Sequence, residues 1–107
     1  MRTHSDLDQR SLAMHRLVVA KIRRDPAWFE YARRTLARWR RSGPVASQPY
    51  LERWQLAFDR GVDAALELAV EASEDATALR QCSPFAGILS TEERLGFLKS
   101  WSTSRAA

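Results

Sequence analysis

Cysteine is almost missing from this chain: Cys82 stands alone, so no disulfide can form within it. Histidine is scarce, with only His4 and His15, and no HExxH, CxxC, GxSxG or glycine-rich phosphate loop occurs. No run of 18 apolar residues exists, so no membrane-spanning helix is expected. The first ten residues, MRTHSDLDQR, are polar and of mixed charge, unlike a signal peptide, and a cytoplasmic location is expected. β-Branched residues are sparse, which disfavours strands and excludes two-stranded β readers of nucleic acid. Glycine and proline number four each and sit between periodic segments, where they act as breaks.

What remains is helix-forming: Ala, Leu, Arg and Glu dominate the 107 residues. A mass of 12.2 kDa predicts that about 65 % of the extended chain's surface is buried on folding, enough for a core without metal or disulfide. The expected fold is all-α: a single compact bundle of five or six short helices over 1–107, with 1–4 and 102–107 as frayed tails. The net charge is +4, but it is uneven. Residues 1–60 carry 13 Lys/Arg against 6 Asp/Glu, and residues 61–107 carry 4 against 7, so a basic front meets an acidic rear.

The most informative stretch is DPAWFEYARRTLARWRRSGP, residues 25–44. Asp25 suits an N-cap and Pro26 the first helical position, while Gly43 in a left-handed conformation and Pro44 would end the helix. At 100° per residue, Trp28, Phe29, Ala32, Leu36 and Trp39 share one arc, predicted to face the core. Arg33, Arg34, Arg38, Arg40 and Arg41 fall on the other side. Guanidinium stays charged and forks onto carboxylates and phosphates, so this face is either solvated or a docking surface.

Around it, Ser5 to Asp8 resembles a capping box opening a helix that reaches about Arg24. Ser47 is the expected cap of a third helix through Trp54 and Phe58, and Gly61 either ends that helix or interrupts it. Asp63, Glu67, Glu71 and Asp75 recur every four residues as an acidic ladder. Carboxylates at that spacing can ligate a cation, but no histidine accompanies them, so a solvent face or a partner for the arginines is the expectation. Ser73 is a further cap. Ser83-Pro84-Phe85-Ala86-Gly87-Ile88-Leu89 is an apolar loop, followed by a Ser90–Glu93 capping box and a final helix to about Trp101.

No catalytic, cofactor-binding or metal-binding residue is expected. Ser11 lies one turn before His15 without an orienting third group, and Cys82 reads as a buried, inert thiol. Nucleic-acid binding fits the arginine density, because phosphate contacts need charge and little else. The second helix, however, uses its other face for aromatics, and the junction at Asp25-Pro26 lacks the three-to-four-residue turn of a helix-turn-helix. A membrane surface is not expected as a partner.

The segments RSLAMHRLVVAKIRRDP, ARRTLARW, YLERW and LRQCSPFAGILSTEER together resemble short bacterial proteins encoded beside a toxin-like partner, often of the nucleotidyltransferase type. SPFAG followed by a capping box is the most specific part. The resemblance covers most of the chain and implies an antitoxin-like or accessory protein that neutralises a cognate protein toxin. It carries no catalytic motif and hence no functional residues. It allows a mechanism in which Arg33, Arg34, Arg38, Arg40 and Arg41 meet an acidic toxin site while Phe85, Ile88 and Leu89 anchor the contact. A basic nucleic-acid-binding or transcription-regulating protein is the alternative. The oligomeric state is open.

Overall fold

Five breaks cut the chain into its helices: Asp25-Pro26, Gly43-Pro44, Gly61, the turn over 70–73, and the loop from Ser83 to Gly87. A computed structural model describes residues 4–106. Six α-helices occur among them: α1 His4–Arg24, α2 Ala27–Ser42, α3 Gln48–Asp59, α4 Val62–Ala69, α5 Glu74–Arg80 and α6 Thr91–Ala106. A single 3₁₀ turn, Val45–Ser47, leads into α3, and no strand occurs among the described residues. The fold is an all-α bundle, as composition and periodicity predict. Its ends differ from expectation. α1 already includes His4, so Ser5 lies inside the helix rather than capping it, and α6 continues through the predicted tail to Ala106. Residues 1–3 and 107 of the expected tails lie outside the described residues.

The breaks act by several routes. The Asp25 carboxylate accepts from the Ala27 N–H at 3.2 Å and α2 starts one residue after Pro26. Gly43 is not left-handed: φ is −78° and ψ 168°. Its N–H instead donates to the Trp39 carbonyl, and a Cβ on it would lie 2.5 Å from that oxygen. Close approach, not positive φ, is what a side chain there would violate. Gly61, with φ at +121° between α3 and α4, needs glycine's freedom, as does Gly87 at +88° in the loop. Ser47 precedes α3 but its hydroxyl caps nothing, whereas Ser73 accepts from the Ala76 N–H at 3.1 Å.

The helices enclose one core. Val18 and Ile22 of α1, Phe29, Ala32 and Leu36 of α2, and Leu51, Trp54 and Phe58 of α3 meet Ala65, Leu66 and Ala69 of α4 and Leu79 of α5. Its centre is aromatic. Phe29 stacks on Phe58 at 4.9 Å between ring centroids, and Phe85 lies 5.5 Å from Phe58 and 5.6 Å from Trp54. Trp54 is fully buried and its indole N–H donates to the Leu79 carbonyl at 3.0 Å, so burial leaves no unpaired donor. Trp28 and Trp39, expected to build the core, are only half-buried at its edge. Trp28 serves instead as a platform for Lys21, whose ammonium sits 4.2 Å from the ring centroid.

α6 stands apart. No residue from Thr91 to Ser104 is buried, and the radius of gyration is 14.0 Å where a compact chain of this length gives about 13 Å. Its N-terminus is nevertheless well fixed. Ser90 N–H donates to Glu93 Oε1 at 2.8 Å and Glu93 N–H to Ser90 Oγ at 3.1 Å, the reciprocal capping box that the sequence predicts.

Candidate binding surfaces

The periodicity of α2 determines its outer face. Phe29, Ala32, Thr35 and Leu36 are buried, which turns Arg34, Arg38 and Arg41 directly away from the core. Arg33 and Arg40 flank that stripe, and all five side chains are exposed. Arg33 is engaged within its own helix: Nε lies 3.1 Å from Glu30 Oε1, and the guanidinium lies 5.0 Å from the Phe29 ring centroid. Arg34, Arg38, Arg40 and Arg41 form no ion pair among the described residues.

The acidic ladder does not reach them. α4 ends at Ala69, so Asp63, Glu67, Glu71 and Asp75 do not share one helix face. Asp63 pairs with Arg23 of α1 at 2.6 Å and Asp75 with Arg53 of α3 at 3.3 Å. Both pairs are exposed and worth about 0–1 kcal/mol each. The basic face of α2 is therefore left open: Asp63 and Asp75 pair with other arginines, and the Glu71 carboxylate accepts from the Ser73 hydroxyl. No group of three or more His, Cys, Asp or Glu residues that could hold a metal ion occurs among the described residues.

The loop from Ser83 to Leu89 requires a correction. Phe85 and Ile88 are 2 % and 1 % exposed, and Leu89 packs half-buried against the same core. A side chain that closes the bundle cannot also anchor a partner, because withdrawing a buried phenylalanine costs about 3–5 kcal/mol. The loop's chemistry lies in what holds it. Ser83 Oγ donates to His15 Nε2 at 2.8 Å and accepts from the Phe85 N–H at 3.2 Å. His15 Nδ1–H donates to the Ser11 carbonyl at 2.8 Å, which specifies the tautomer. Burial pushes the His15 pKa down, the Ser11 carbonyl opposes it, and the positive charge of Arg80 adds to the lowering. At the other end, the Lys21 ammonium donates to the Ile88 carbonyl at 2.7 Å and to Glu93 Oε1 at 2.6 Å. That hydrogen bond, with those from Ser90, holds the Glu93 carboxyl down at about 2.

Comparison with protein-family models, curated proteins and solved structures finds no match for this chain. Function has to be read from the surfaces themselves.

Arg80 is the residue that sequence reasoning passed over. It is 6 % exposed, and its guanidinium donates to the carbonyls of Ala69 at 3.3 Å and Glu71 at 2.8 Å and to Thr77 Oγ1 at 3.2 Å. It thus closes the C-terminal end of α4, where the helix dipole favours a cation. Nε has no acceptor. Beside it, a cavity of about 330 Å³ opens between α1, α5, the loop and the start of α6. Cys82, half-buried at its wall, has its thiol pKa pushed up by burial and is not poised as a thiolate. A serine donating to a carbonyl-oriented histidine has the outline of a nucleophile and base. Both groups are buried, however, and Ser83 Oγ is committed to the Phe85 N–H, which is the arrangement of a structural clasp.

Proposed function

We propose that this chain is a non-catalytic binding protein of the antitoxin kind, cytoplasmic, whose α2 face docks on an acidic surface of a cognate protein toxin. One observation carries the reading: Arg34, Arg38, Arg40 and Arg41 project from a rigid core helix with no internal ion pair among the described residues. Guanidiniums held on one helix are pre-organised, so docking costs less side-chain entropy than it would on a mobile segment. Their forked donors match carboxylates, including those that hold metal in nucleotidyltransferase-type sites. The resemblance noted in the sequence supplies the class of partner, and the open basic face supplies the means.

Co-expression with the product of the gene beside its own tests this reading. The two proteins are expected to co-purify, and toxicity of the partner to fall when both are made. A protein that elutes alone, and shifts duplex DNA with an affinity that falls steeply with salt, would overturn the reading in favour of phosphate binding by the same face.

A further inference from the structure

The cavity beside the loop is lined by Arg10, Arg80 and Arg94, and by no aspartate or glutamate. Three guanidiniums of like charge thus border a space of about 330 Å³. Arg10, Arg80 and Arg94 make no ion pair among the described residues, although Asp8 and Glu71 act on the Arg80 charge from outside the cavity lining. The Arg80 guanidinium hydrogen-bonds to carbonyls and a hydroxyl, with Nε unmatched. Between the arginines the wall is apolar: Leu7, Met14, Leu89 and the edge of Trp39. A concave site of this size with a few convergent polar groups on an apolar lining is the usual form of a small-molecule site.

We propose that this cavity binds a small organic anion, a phosphate or carboxylate head carried on an apolar, flat body. The head meets Arg10 and Arg94 at the rim, near the charge of Arg80. The body lies against Met14, Leu89 and Trp39. The site stands independently of the toxin-binding reading, because none of the α2 arginines lines the cavity. A charge-assisted, two-pronged contact of this kind explains why three arginines line a cavity that no carboxylate lines.

1-Naphthyl phosphate is the probe, followed by ¹H–¹⁵N spectra of the full chain. Saturable binding is expected, with shifts at the Gly87 and Met14 amides and the His15 ring, and none at Arg33 and Arg34, away from Trp39. Inorganic phosphate and 1-naphthol, each offering half of the chemistry, are expected to bind at least tenfold more weakly. Arg10→Ala with Arg94→Ala is expected to weaken naphthyl phosphate at least tenfold. Arg94 is exposed and unpaired, so R94A alone keeps the fold and carries the test with a severalfold loss should the double variant unfold. Absence of saturation at millimolar probe, equal binding of inorganic phosphate, or affinity unchanged in R94A would each overturn the proposal.

Discussion

Replacing Ser83 by alanine removes one oxygen and breaks two hydrogen bonds. His15 Nε2 loses its donor and the Phe85 N–H loses its acceptor, each from a buried position. A buried polar group left unsatisfied costs about 1–3 kcal/mol, so the two together imply about 2–6 kcal/mol. The neighbouring cavity can admit water to the His15 side, which favours the lower end of that range, about 2–3 kcal/mol. Against a total stability of about 5–15 kcal/mol this is a large fraction. At about 4 °C or more per kcal/mol for a domain of this size, the melting temperature falls by roughly 10 °C. Urea unfolding at pH 8, followed by tryptophan fluorescence and circular dichroism, measures it; at that pH His15 is neutral in both states. Ser42→Ala, an exposed site whose hydroxyl bonds only its own helix, serves as the control. A loss in S83A under about 0.5 kcal/mol, or equal to that of S42A, would refute the clasp.

Other perturbations probe the same architecture. The His15 pKa is lowered in the folded state, so the unfolded chain binds the proton first; stability is full above about pH 6.5 and declines as pH falls below it. His15→Gln is expected to flatten that decline in a series of urea titrations from pH 8 to pH 5. Phe85→Ala is expected to cost about 3–5 kcal/mol, read as a shifted urea midpoint; a near-neutral result would return Phe85 to the surface. Lys21→Met removes the ammonium that holds Glu93, so the Glu93 carboxyl is expected to titrate above its present value of about 2 in an NMR pH series. Because that value lies below the ordinary carboxylate range, Glu93's contribution in the native chain is present above about pH 4.5 and lost as pH falls towards 2.

Local rules carried the reading of the fold. Helix positions followed from apolar spacing and breakers, and the Ser90–Glu93 box formed as its spacing implies, because each depends on residues within a few positions of one another. The aromatic assignment shifted for a non-local reason. Trp28, Trp39 and Trp54 all have helical spacing, and only the packing of α3 between α2, α4 and α5 decides that Trp54 takes the centre. The clasp between His15 and Ser83 spans 68 residues, and the buried Arg80 depends on where α4 happens to end. Neither leaves a periodic trace. The acidic ladder misled for the same reason: its four-residue spacing suggests one continuous helix, and the break after Ala69 places its members on separate elements. The arginine face was fully visible as a pattern, but its openness was a question of which carboxylates the fold brings near.

That openness is the centre of the account, and calorimetry on one variant tests it. R34A/R38A/R41A removes three charges that lie opposite the core, so the unfolding free energy from urea titration is expected to stay within about 0.5 kcal/mol of the native chain. Titrated against the product of the adjacent gene at physiological salt, the variant is expected to bind about a hundredfold more weakly, at about 1 kcal/mol for each lost contact. Undiminished affinity in a folded variant would contradict the docking role assigned to α2.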